Sequence, residues 1–246
     1  MNIQLSDHFN YKKLFLFTLP SVVMMVFTSV YCVVDGFFVS NFAGKTAFAA
    51  INLIMPFIMI LGSIGFMIGT GGSALVSYTL GTGDKEKANR YFSMLVYFTI
   101  LAGILLTVLG IIFVRPIAEL FGADESMMDT CVLYGRIVIA FNAAFMLQNI
   151  FQSFFVVAEK PRLGLIVTIA AGVTNMVLDA LFVGVFKWGI VGAALATGIS
   201  QSIGGLLPLL YFALPNNSPL QLTRTGFELA PLLKASSNGC SELMSN

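Results

Sequence analysis

Charge is what this sequence has least of. It carries 13 Lys and Arg and 12 Asp and Glu among 246 residues, 10% in all. Soluble domains carry about 25% charged residues, so a freely soluble globule is excluded. The net charge is +1, too small to mark a nucleic-acid or polyanion partner. The only histidine, His8, lies outside the apolar runs and reads as a solvated side chain. Three scattered cysteines, Cys32, Cys131 and Cys240, support neither a disulfide framework nor a zinc site. Neither an H-E-x-x-H nor a G-x-S-G pattern occurs, which removes the usual zinc and serine chemistries.

What remains is apolar: 57% of the residues are hydrophobic, with 23 Phe and 12 Met. A membrane helix needs roughly 20 apolar residues. Six runs meet that need, at 14–39, 48–80, 91–114, 131–158, 163–186 and 190–214. The first follows Lys12 and Lys13 but is too long for a signal-peptide core and has no cleavage pattern, so it reads as a retained span. Arg115-Pro116 reads as the stop of the third run, and 118–130 as an acidic loop with a short interfacial turn. In the second run Gly65, Gly69, Ser73, Ser77 and Gly81 recur every fourth residue, and Gly189, Ala193, Thr197 and Gly205 form a similar stripe in the sixth. Small residues on one helix face let a neighbouring backbone approach. The glycines at 69–72 and 81–83 lack the strand and the G-K-[ST] of a phosphate loop.

The expected fold is therefore all-α and integral to the membrane: a tail over 1–13, a six-helix lobe over 14–214, a linker over 215–238 and the start of a seventh helix at 239–246. Lys and Arg concentrate in one set of loops (Lys12, Lys13, Lys85, Lys87, Arg90, Lys160, Arg162, Arg224, Lys234). The other set holds only Lys45, Arg115 and Lys187. The bias predicts a cytoplasmic N-terminus and a cytoplasmic linker.

Two carboxylates interrupt the apolar runs. A charge in hydrocarbon costs at least ~2.5 kcal/mol, so such residues face a cavity or a partner. Asp35 admits a plainer reading, as a wet residue at the interface. Asp179 stands four residues after Asn175, on the same helix face. Counting at 1.5 Å per residue from the outer turns puts Asp35 roughly 6 Å, Asp179 roughly 10 Å and Thr197 roughly 12 Å deep. Three helices can then bring two carboxylates, an amide and a hydroxyl to one level. Such an oxygen cluster suits Na⁺ or shared protons, and two adjacent carboxylates in low dielectric cannot comfortably both be charged. Structurally, Asn175 and Asp179 could instead only bond neighbouring helices.

Several separated motifs resemble the N-terminal half of multidrug and toxic compound extrusion (MATE) transporters. They are Pro20, Asp35 with Gly36-Phe-Phe-Val-Ser-Asn-Phe-Ala-Gly44, Ala49-Ala-Ile-Asn52 with Pro56, and Gly81-Thr-Gly-Asp84. Further on come Glu159-Lys-Pro-Arg162, Asn175-Met-Val-Leu-Asp179 and Gly189-Ile-Val-Gly192 leading to Thr197. The resemblance implies an antiporter in the plasma (inner) membrane that exports amphipathic or cationic compounds against H⁺ or Na⁺. It implies two six-helix lobes around a central cavity and no cofactor. It assigns Asp35, Asn175, Asp179 and Thr197 to the cation site, Pro20 to a bend in the first helix, and Tyr31, Gln148 and Gln152 to the drug cavity. Family members are about twice this length, so the sequence reads as a fragment, a partial gene product or half of an assembly, with a C-terminal lobe as expected partner. Glu242 sits too near the start of the seventh span to take the role of an acid some members use there.

Two other classes compete. A lipid-linked oligosaccharide flippase would line its cavity with more cations than Arg136, the only one within the runs. An intramembrane aspartyl protease would use two aspartates on separate helices, but the contexts Val34-Asp35-Gly36 and Leu178-Asp179-Ala180 lack the Y-D and G-x-G-D patterns. A transporter rather than an enzyme is the expectation. Broad Met- and Phe-lined cavities discriminate weakly, so the compounds carried are not legible.

Overall fold

The computed structural model describes residues 11–226 and 228–245; His8 lies outside them, as does the side chain of Glu242. Among the described residues eight α-helices follow in order: α1 Tyr11–Phe38, α2 Lys45–Gly81, α3 Lys85–Leu120, α4 Glu125–Ala140, α5 Asn142–Val157, α6 Pro161–Asp179, α7 Gly189–Ala213 and α8 Leu229–Ser245. Two π-helical segments, Val39–Ala43 and Ala180–Val185, extend α1 and α6. Among the described residues five helices are long and apolar enough to cross a membrane. A sixth span is formed if α4 and α5, bent by 54° at Phe141, count as one. The chain is a multi-pass membrane lobe.

The small-residue stripes set the helix spacing. A β-carbon on Gly65 would lie 2.7 Å from the Met146 backbone, and one on Gly69 2.9 Å from Ile150 Cα, so α2 and α5 touch backbone to backbone. Asn149 Nδ2 donates to the Gly62 carbonyl across that seam at 3.2 Å. In lipid, close packing of this kind replaces the hydrophobic drive of water. Gly205 on α7 meets the Ala144 carbonyl of α5 in the same way.

Two buried clusters fill the lobe. At one end Phe92, Phe151, Phe154 and Phe212 form an aromatic stack, with Phe92 4.8 Å from Phe154 and 5.1 Å from Phe212 between centroids. At the other end, which carries the π-helical segments, Ile54, Ile58, Val114, Tyr134, Ile139 and Val183 pack together. α1 is the least covered helix, packed chiefly on α6.

Three features depart from the sequence reading. Arg115-Pro116 does not end the third span: α3 runs through Pro116 to Leu120. Proline removes one backbone donor, and a membrane helix tolerates that loss; an Arg115–Glu119 pair at 3.7 Å bridges the site. The acidic stretch 118–130 is mostly helical: α3 closes at Leu120 and α4 opens at Glu125. Asp124 caps α4, accepting from the Met127 amide at 3.0 Å. Finally, the linker ends ten residues before the expected 238, because α8 starts at Leu229 with Pro231 in its first turn, a position where proline fits.

The linker is not slack. Asn89, Ser93 and Tyr97 lie along one face of α3 and hold it. Asn89 Oδ1 accepts from the Gln221 amide at 3.0 Å and Ser93 Oγ from the Thr223 amide at 2.8 Å. Tyr97 donates its hydroxyl to the Thr223 carbonyl at 3.4 Å. Leu220 is fully buried beside the aromatic stack, and Arg90 pairs with Glu228 at 2.6 Å.

Candidate functional site

Both acidic residues sit where a helix changes winding. Asp35 lies one turn before the π-helical segment of α1, and Asp179 is the last residue of α6 before the other. A π-helical turn widens the backbone and is frequent at functional sites. The two segments also contact each other. Gly172 of α6 lets α1 settle close, since a β-carbon there would lie 2.5 Å from the Phe27 ring and 3.0 Å from that of Tyr31.

This packing brings the carboxyl groups of Asp35 and Asp179 within hydrogen-bonding reach of each other. Asp179 is fully buried and Asn175, one turn before it, is 2% exposed. Both Asp179 oxygens, Asp35 Oδ1 and Asn175 Oδ1 are buried without a hydrogen-bond partner. Carboxyl oxygens buried beside each other without a hydrogen bond are electrostatically incomplete. A shared proton or an oxygen-seeking cation would complete them. Asp35, Asn175, Asp179 and Thr197 offer oxygen, which suits a hard cation, and the Cys32 thiol stands beside them.

A cavity of about 90 Å³ opens beside the pair. Asp35, Asn175, Thr197, Tyr31 and Gln148 line it, opposite Met55, Met59 and Phe145. The structure thus groups the four residues expected at a cation site and two of the three expected at a drug cavity. Gln152 is not among the lining residues. It lies one turn beyond Gln148, about 6 Å further along α5, and the cavity does not extend that far. Pro20 is buried inside a continuous α1, with no break of the helix at that point. It stands fifteen residues from Asp35, roughly 22 Å along the axis.

Three residues join the site without having been singled out in the sequence. Tyr134 of α4, 1% exposed, lies within hydrogen-bonding reach of Thr197 and close to both carboxyls. Ser200 and Gln201 of α7 line the cavity one turn after Thr197. Tyr134 reads from sequence as one more apolar position, and only the placement of α4 against α7 reveals it. Ser200 and Gln201 follow from Thr197 by helical spacing. Arg136, exposed on α4, does not line the cavity.

The MatE family model matches residues 20–181. The chain belongs to the MatE family. Among the relatives of this MatE chain, the multidrug export protein MepA of Staphylococcus haemolyticus is 25% identical over 208 residues, covering 85% of this chain and 46% of the relative. The probable multidrug resistance protein YoeA of Bacillus subtilis is 29% identical over 219 residues, covering 87% and 47%. The chain therefore spans about half the length of these relatives. The fold matches a MATE crystal structure in the straight conformation with a TM-score of 0.86 at 20% identity, over 94% of this chain and 53% of that one. A MOP superfamily transporter from Pyrococcus furiosus gives 0.87 at 21%, over 95% and 52%.

Proposed function

We propose that this MatE lobe is the ion-coupling half of a multidrug antiporter of the plasma membrane, exporting amphipathic or cationic compounds in exchange for H⁺ or Na⁺. One observation carries the reading: the Asp35 and Asp179 carboxyls lie side by side, with both Asp179 oxygens and Asp35 Oδ1 buried and without a hydrogen bond. Such a pair holds one ion at a time, so its charge changes when that ion leaves. Asp35, Asn175, Asp179 and Thr197 would hold Na⁺ through oxygen, or the two carboxyls would share a proton. Tyr31, Gln148 and Gln201 supply polar groups to the adjoining cavity, and Met55, Met59 and Phe145 its apolar wall.

Neutralising the pair removes the demand for a polar environment at the outer end of α1. α1 is the least covered span, so it can repack on α6 without breaking a large core, with Pro20 as its weak point. A second lobe, as in the relatives, would close the cavity from the other side. Among the described residues no Lys or Arg lines the cavity, which favours cationic cargo over an anionic lipid-linked sugar. The N-terminus is assigned to the cytoplasm by the Lys and Arg bias.

The test is dye efflux from vesicles containing the whole transporter, driven by a sodium gradient alone or by a pH gradient alone. Export driven by one of them names the ion. Export that needs neither gradient, or none at all, rejects antiport.

A further inference from the structure

We propose that the groove between the first turn of α6 and the last turn of α7 binds the phosphate headgroup of an anionic phospholipid. The groove encloses about 590 Å³. Lys160 and Arg162 stand on one side, Tyr211 on another, and Leu163, Ile166 and Leu214 form an apolar wall.

Depth is the first argument. Pro161, which opens α6, is eighteen residues from Asp179, about 27 Å along the axis. The hydrocarbon core is about 30 Å thick. With the acid pair near one face of the bilayer, the groove falls at the level of the opposite headgroups. Lys85, Lys87 and Arg90 share that end of the lobe.

Charge is the second. Neither Lys160 nor Arg162 forms an ion pair among the described residues, and no acidic side chain lines the groove. The neighbouring groove at the same end behaves differently. It is lined by Asp84, Glu86, Lys87, Arg90 and Glu228, so its cations are already matched by acids. Two uncompensated cations at a membrane boundary attract anionic headgroups.

The third argument separates a lipid from a free anion. Ile166 and Leu214 are each 62% exposed and Leu210, one turn up α7, is 57% exposed. The groove therefore opens onto an apolar track that runs into the bilayer beside α6 and α7. A headgroup in the groove has its acyl chains on that track, whereas inorganic phosphate gains nothing from it. Asn216 fixes the rim by donating to the Tyr211 carbonyl at 3.2 Å and the Leu214 carbonyl at 3.1 Å.

The experiment is native mass spectrometry of the full 246-residue chain in a neutral detergent. It is titrated with short-chain phosphatidylglycerol, short-chain phosphatidylcholine or inorganic phosphate. The double variant Lys160→Gln/Arg162→Gln is expected to retain phosphatidylglycerol roughly thirtyfold more weakly, from the usual contribution of each cation near a headgroup. Lys85→Gln/Lys87→Gln removes the same charge at the same end and should leave retention unchanged. Ile166→Gln should weaken phosphatidylglycerol and leave phosphate unaffected. Equal loss in both double variants overturns the groove as the site. Equal retention of phosphatidylcholine overturns the anionic preference. Phosphate binding as strongly as the lipid, unaffected by Ile166→Gln, overturns the lipid assignment. All four proteins are compared by melting temperature, and the exposed substitutions are expected to leave it unchanged.

Discussion

Gly71 of α2 and Gly239 of α8 meet across a seam with no room for a side chain on either. A β-carbon on Gly71 would strike the Ala235 carbonyl oxygen, and one on Gly239 the Met67 carbonyl oxygen. Gly71 lies twelve residues below Met59, roughly 18 Å down α2 from the cavity. The seam therefore ties α8 to the lobe well beneath the site.

Gly71→Leu should lift α8 off α2, because overpacking of a tight contact costs about 1–3 kcal/mol and α8 has few other partners in the lobe. Hydrogen exchange of the amides at 229–241 reads the effect. Faster exchange there, with α5 unchanged, is expected. Unchanged protection of α8 would show that the seam does not hold it.

The strap along α3 ranks its own bonds. Ser93 is fully buried, and its loss leaves the Thr223 amide without an acceptor, at about 1–3 kcal/mol. The Arg90–Glu228 pair is about half exposed on both sides, and such pairs contribute about 1 kcal/mol at most. Protease cleavage within 220–228 should rise more in Ser93→Ala than in Arg90→Gln. The reverse order would place the anchor in the ion pair.

Asp124 gives a pH dependence with a definite sign. The Ser126 hydroxyl at 2.7 Å, and then the Met127 amide, hold its carboxyl below the ordinary value. A depressed folded value means stabilisation that is complete above about pH 3.9, the usual aspartate value. It is lost as pH falls through the lowered one. The melting-temperature difference between wild type and Asp124→Ala should therefore be constant near neutrality and shrink below about pH 4. A difference that grows on acidification contradicts the capping role.

The membrane class and the spans were legible because a run of about twenty apolar residues has few other uses. The α2 stripe was legible because fourfold spacing of small residues has one geometric meaning. Asn175 and Asp179 share a face by the same arithmetic. Other features depend on tertiary partners. The bend at Phe141 has no proline or glycine at the break; the Phe141 ring instead fills the space left by Gly198 of α7. The π-helical turns beside Asp35 and Asp179 leave no compositional mark. α8 is amphipathic and carries Lys234 and a polar stretch at 236–238, so it lacks the apolar run that announces a span, and its first ten residues read as linker. Gln152 rests on the family resemblance alone, and it does not line the cavity beside the acid pair.

The central claim is that Asp35 and Asp179 act as one ion-holding unit. The most direct test is ion-driven dye efflux by the whole transporter carrying Asp35→Asn, Asp179→Asn or both. Groups that work as a unit are strongly non-additive. Each single variant is expected to lose ion-coupled export as completely as the double variant. Losses that multiply in the double variant, or full coupling retained by either single one, would contradict it.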